Sequence, residues 1–117
     1  MTRTLFILND PPYDTERTYN GLRLASTLTK RDGEEIKIFL IAGAAAGARA
    51  GQTLPQGHYS IEVMLKNVLR RGAEVGVCGT CMDARGIADA DLIEGARRSS
   101  LDELTDWTGW AGRVLVF

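Results

Sequence analysis

The chain lacks a block of like charge: 14 Lys and Arg stand against 15 Asp and Glu over 117 residues, for a net charge of −1. Nucleic-acid binding draws its affinity from a basic face that displaces counterions, so direct binding to DNA or RNA is not expected. The pairs Lys30-Arg31, Arg70-Arg71 and Arg97-Arg98 are scattered. The first two fall at expected helix ends, where cations complement the helix dipole. Long apolar runs are also missing. The richest stretch, Ile36 to Ala48, is broken by Lys37 and several glycines, so no bilayer span is expected. The segment Met1 to Asn9 lacks the long apolar stretch and small-residue cleavage site of a signal peptide. A cytosolic location follows as the expectation. There thiols stay reduced, and the two cysteines read as a reactive or metal-binding pair and not as a structural bridge.

The chain is the size of one compact domain, residues 1–117, and can bury a core without disulfides. Thr4 to Leu8 is a short continuous apolar run, the pattern of a strand buried on both faces. After Asn9-Asp10-Pro11-Pro12, Asp14 or Thr15 is a candidate cap for a helix carrying Tyr19, Leu22, Ala25 and Leu28 up to Arg31. Asp32-Gly33 ends it. Ile36–Ile41 reads as a second strand, followed by a low-complexity Gly/Ala stretch from Gly43 to Gly51 and a loop at Leu54–Gly57. Ser60 caps a strongly patterned helix whose Ile61, Met64, Leu65, Val68 and Leu69 share one face, closed by Gly72.

Glu74–Cys78 reads as a third strand, Asp83 to Asp91 as a helical turn plus loop, and Leu92 to Arg98 as the region of a short fourth strand. Ser100-Leu101-Asp102-Glu103 matches a capping box. The helix it opens carries Leu101, Leu104, Trp107 and Ala111 and ends at Gly112, before a last strand over Val114–Phe117. Strands alternating with helices imply an α/β fold with a parallel sheet and helices on both faces. Function in such sheets lies beyond the carboxyl ends of the strands. Asn9–Tyr13, Ala42–Gly57 and Cys78–Gly86 fall there.

Cys78-Gly79-Thr80-Cys81 carries the strongest chemical signal. Cys78 ends a strand at the functional edge, and a helical turn starting near Thr80 would favour a thiolate through its free amides. Arg85 is close enough in sequence to add positive charge. A thiolate of lowered pKa serves sulfur transfer, disulfide exchange and redox sensing alike. The bland alternative is a small core cysteine with an incidental neighbour. Structural zinc needs four ligands, and with no third cysteine and His58 far off in sequence, no metal and no cofactor is expected. Gly43, Gly47 and Gly51 form neither a dinucleotide fingerprint nor a Walker loop, so they read as close-packing positions. His58 reads as a loop residue, Asp10, Asp14 and Asp83 as turn and cap residues, and Trp107 and Trp110 as core or interface anchors.

The segment Cys78-Gly-Thr-Cys-Met-Asp-Ala-Arg-Gly86, together with Asp91–Ala96, Ser100–Leu104 and the closing Val-Leu-Val-Phe, resembles the DsrE/DsrF-like family in its YchN-like branch. Leu8 to Arg17, Tyr19–Arg23 and Gly51-Gln52 add to the resemblance, which runs over nearly the whole chain. It implies a three-layer α/β/α sandwich around a five-stranded, mainly parallel sheet, assembled as homotrimers or homohexamers. It also implies sulfur carried as a persulfide on the cysteine matching Cys78 and exchanged with donor and acceptor proteins. Gly43-Ala44-Ala45-Ala46-Gly47 departs from the pattern, since relatives often carry an acidic residue in that loop. The expected function is therefore a persulfide carrier using Cys78, with Cys81 releasing the sulfur and Arg85 stabilising the thiolate. The rival is a binding or assembly protein of the same fold without turnover. A thioredoxin-like dithiol reductase fits less well, because the element order lacks that fold's antiparallel half. Surface contacts between copies are expected at Trp107, Trp110 and the Gly43–Gly51 face.

Overall fold

The computed structural model describes residues 1–117. Five strands, β1 (Thr2–Leu8), β2 (Glu34–Leu40), β3 (Glu74–Cys78), β4 (Ala96–Ser99) and β5 (Arg113–Val116), form one sheet in the order β4-β3-β2-β1-β5. Every neighbouring pair is parallel. All strand C-termini therefore lie along one edge. The helices α1 (Arg17–Thr29), α2 (Ile61–Arg70), α3 (Gly79–Asp83) and α4 (Leu101–Trp110) complete the fold with 3-10 segments at Ala42–Ala48 and Asp89–Asp91. This is the three-layer arrangement that the family resemblance implies. No helix is long and apolar enough to cross a membrane.

Strand alternation sorts side chains into two cores. Phe6, Leu8, Ile38, Leu40, Val75 and Val77 face α1 and α2, meeting Leu22, Ala25, Leu65 and Val68. On the other face, Leu5, Phe39 and Cys78 meet Leu104 and Trp107 of α4. The small residues after β2 pack into the first core, where Ala44, Ala45 and Ala48 are fully buried. A side chain on Gly43 would overlap the Pro11 ring, so glycine there lets two strand-end loops touch. The expected close-packing role holds. The expected exposed contact face does not, because Gly43, Ala44, Ala45, Gly47 and Ala48 are buried. Trp107 is likewise inside, at 4% exposure, with its ring edge-on to Phe39.

Element boundaries shift where side chains redirect the backbone. Helix α1 begins at Arg17, beyond the expected cap, because Asp10 organises the preceding turn. Thr15 donates to its carboxylate and Thr18 donates to its carbonyl at 2.8 Å. Ser60 caps α2 as expected, accepting from Val63 N–H at 3.2 Å. Strand β4 is shorter and later than Leu92–Arg98. Ala50 N–H bonds Asp91 O and Ile93 N–H bonds Ala48 O, which ties Asp91–Ile93 to the loop after β2 before the sheet begins. At α4, Ser100 accepts from Glu103 N–H at 3.2 Å, half of a capping box. The Glu103 carboxylate turns instead to Arg97, at 2.6 and 2.8 Å, and to Ser99. A bidentate guanidinium is a stronger partner than a single amide.

Helix α4 alone covers its face of the sheet, and Gly76 sets how closely it approaches. A Cβ at Gly76 would lie 3.0 Å from Trp107 and 3.2 Å from Ser99 Cβ. Gly76→Val should therefore destabilise the protein by about 1–3 kcal/mol. By contrast, a Cβ at Gly109 meets nothing within 4 Å. Gly109→Ala should raise stability by about 0.4–1 kcal/mol. Urea unfolding followed by tryptophan fluorescence reads both, and equal effects of the two changes would contradict this packing.

Candidate functional site

The connection after β3 turns toward the face carrying α1 and α2, since Met82 and Ile87 enter that core. The connection after β4 turns the other way, into α4, whose Leu104 and Trp107 fill the opposite core. Adjacent strands whose connections part to opposite faces leave a crevice between their carboxyl ends. Here the strands are β3 and β4, and the residues paired at their ends are Cys78 and Ser99. A crevice of about 540 Å³ opens there, lined by Phe39, Ile41, Cys78, Thr80, Ser99 and Leu101 among others. Cys81 is also in its wall.

Cys78 is 9% exposed, and both cysteines are free thiols. Helix α3 starts at Gly79, directly after Cys78, so the Cys78 sulfur acts as its cap and accepts from Cys81 N–H at 3.4 Å. The short helix bends Cys81 back onto Cys78. Its thiol donates to Cys78 Sγ across 2.6 Å. The Thr80 hydroxyl stands 3.3 Å from the same sulfur. Burial opposes ionisation of Cys78, but the Cys81 thiol, the Thr80 hydroxyl and the amides of both residues outweigh it and hold the Cys78 thiol below its ordinary range. Burial and its donated hydrogen bond push the Cys81 thiol up, against the opposing pull of the Ala42 amide and Arg85. The environment thus separates two chemically identical groups.

Arg85 sits on the Cys81 side of the pair: it donates to the Cys81 carbonyl at 3.1 Å and its charge acts on the Cys81 sulfur. Arg98 is nearer the crevice, donating to Gly79 O at 3.1 Å, but it is shared between Asp83 at 3.1 Å and Asp89 at 2.6 Å. Nothing in the residue pattern singles out Ala42. It lies two residues past the end of β2, takes a left-handed φ of 53°, and points its N–H at Cys81 Sγ, 3.2 Å away. A backbone donor needs no particular side chain, so only the strand-end position hinted at it. His58 is exposed in the loop before α2 and does not line the crevice. Asp10 binds Thr15 and Arg17, as a turn residue does.

The family model for the DsrE/DsrF-like family matches residues 2–117. The chain belongs to this family. It is 35% identical to Protein YchN of Escherichia coli over 118 residues, covering all of both chains. An uncharacterized protein of Methanocaldococcus jannaschii is 36% identical over 111 residues, covering 95% of this chain and 96% of its own. The crystal structure of the E. coli YchN protein superposes with a TM-score of 0.94 over the full length of both chains. A protein of unknown function from Methanobacterium thermoautotrophicum shares the fold at 14% identity, with a TM-score of 0.75 over 98% of this chain and 99% of its own. The DsrE/DsrF-like fold thus spans the whole chain, with the cysteine pair at its strand switch.

The split between the two thiols sets their pH dependence. The alkylation rate follows the thiolate fraction, so the Cys78 rate should level off at a lower pH than a free cysteine and the Cys81 rate at a higher one. Thr80→Val removes the hydroxyl beside Cys78 and should move the Cys78 midpoint up. Iodoacetamide rates against pH, with the labelled residue read by peptide mass spectrometry, check this; a Cys81 midpoint below that of Cys78 contradicts it.

Proposed function

We propose that the protein carries sulfane sulfur on Cys78 and passes it on. The observation that supports this reading is the pairing itself: one thiol held toward the thiolate and a second in contact with it, both in the wall of a crevice at the strand switch. The Cys78 thiolate attacks the outer sulfur of a donor persulfide, forming a new S–S bond and expelling the donor thiolate. Two exits follow. An acceptor thiolate takes the outer sulfur, leaving the Cys78 thiolate as it began. Alternatively Cys81, after losing its proton to solvent, attacks Cys78 Sγ and expels hydrosulfide, and the resulting disulfide is returned to two thiols by an external dithiol. Arg85 lies where it favours the negative charge on Cys81 in that second route. No metal or cofactor takes part in either route.

The rival reading is a binding module of the same fold. The near-complete burial of Cys78 favours it, since access as well as ionisation governs thiol reactivity. Incubation with a sulfane-sulfur donor followed by intact mass spectrometry separates the two. The relay predicts addition of one sulfur mass at Cys78. Cys78→Ser abolishes the adduct, and Cys81→Ser lengthens its lifetime. If neither thiol reacts until the protein unfolds, the binding module replaces the relay.

The protein is further proposed to work as a closed homo-oligomer, a trimer or hexamer, located in the cytoplasm and exchanging sulfur with donor and acceptor proteins. Support for assembly comes from the face that α4 leaves open near β5. Val114 is 41% and Val116 64% exposed there, and they lie beside Leu5 and Ile7 in register. Those valines, and not Trp107, form the exposed apolar surface beside β1 on this face. A symmetric assembly would cover it. Light scattering should give a mass several times that of one chain at micromolar concentration, and Val116→Glu should lower it; a monomeric wild-type protein contradicts the assembly.

A further inference from the structure

We propose that the crevice selects neutral, apolar sulfur compounds and discriminates against anionic ones. This rests on the relay reading and names the class of sulfur compound that its crevice admits. The lining around the sulfurs presents the apolar side chains of Ile41 and Leu101, the latter 69% exposed at α4's first residue, while Phe39 belongs to the wall but is fully buried. The polar groups of the wall are already engaged. The Ser99 hydroxyl is bonded to Glu103, and the Ser100 hydroxyl accepts from Glu103 N–H. Thr80 is turned to Cys78.

Charge decides the direction of the preference. Arg98 is the single cation in the lining, and it is held by both Asp83 and Asp89. Two carboxylates on one guanidinium leave that cluster with a net negative charge. Arg85 does not line the crevice and is turned to the Cys81 carbonyl. A sulfonate, thiosulfonate or carboxylate-bearing donor would bring its charge into a largely apolar cleft without a free counterion. Moving an unpaired charge out of water is strongly unfavourable. An aromatic or alkyl persulfide or disulfide meets Ile41 and Leu101 and loses no ionic solvation. Specificity of this kind comes as much from rejecting the wrong charge as from gripping the right shape.

Two disulfide probes of opposite character test it on the intact protein at fixed pH and ionic strength. Dithiodipyridine is neutral and aromatic; dithiobis(nitrobenzoate) is a dianion of similar shape. With either, the Cys78 thiolate attacks one sulfur and expels an aryl thiolate. Cys81, having lost its proton to solvent, then attacks Cys78 Sγ and expels the second aryl thiolate, leaving a Cys78–Cys81 disulfide. The ratio of neutral to dianionic rate, divided by the same ratio for free cysteine, should be about tenfold or more, which corresponds to about 1.4 kcal/mol of discrimination. Asp83→Asn with Asp89→Asn frees Arg98 and should lower that ratio by raising the dianion's rate. Leu101→Glu should raise it further by slowing the dianion. A normalised ratio near one, or below it, overturns the selectivity while leaving the relay standing. A Cys78 that reacts with neither probe in the native protein overturns both.

Discussion

The right-handed path of each strand–helix–strand crossover governs the arrangement of this molecule. Three connections lead across the sheet in one direction, from β1 to β2 to β3 to β4, and keep α1, α2 and α3 on one face. The last connection returns past three strands to the far edge and must run over the opposite face. That single reversal creates the cleft between β3 and β4. It also leaves α4 to cover its face alone, so half of the sheet depends on one short helix. The alternation of side chains then puts Cys78, and not Val77, on the α4 side with Phe39 and Trp107. Shifting β3 by one residue would bury the thiol beneath α2.

Helix α4 is held by more than apolar contact. Lys37 Nζ lies 5.1 Å from the Trp107 ring centre and 4.5 Å from that of Trp110. Arg97 approaches the Trp107 ring from β4, at 5.8 Å, while binding Glu103 at the start of the helix. Cations above indole rings contribute about 0.5–1 kcal/mol each at exposed sites. Glu103 joins this array to the crevice. Its carboxylate binds Arg97 and Ser99, and Ser99 pairs in register with Cys78. The same contacts that seat α4 on the sheet thus fix one wall of the cysteine site.

Much of this was legible in the chain. Continuous apolar runs at Thr4–Leu8 and Ile36–Ile41 marked central parallel strands, and Ile61 to Leu69 marked an amphipathic helix, because burial on two faces or one face dictates those patterns. Cys78 could be placed at a strand end for the same reason. The turn of α3 could not be read in detail, since a five-residue helix offers no periodicity. Strand β4 was blurred because its residues Ala96-Arg97-Arg98-Ser99 are those of a half-exposed edge, held by pairing and ion bridges and not by apolar burial. The commitment of Arg98 to two aspartates from another part of the chain is a tertiary fact. So is the Ala42 amide, which acts through backbone alone.

Ala42 shows how the fold and the site constrain each other. A non-glycine residue in the left-handed region costs about 1–2 kcal/mol, and it persists only where surroundings hold it. On its amino side, Ile41 N–H continues the sheet ladder by bonding Leu8 O at 3.0 Å. On its carboxyl side, Gly43 is pressed against Pro11, and Ala44 N–H bonds Asn9 O at 3.1 Å. The chain must pass from the end of β2 into the packed 3-10 segment within this one residue. The kink that achieves this turns the Ala42 N–H away from both elements and toward Cys81. The loop therefore supplies a donor at the second sulfur without any charged side chain. The Gly/Ala composition that looks empty of chemistry is what permits the tight packing that aims this amide.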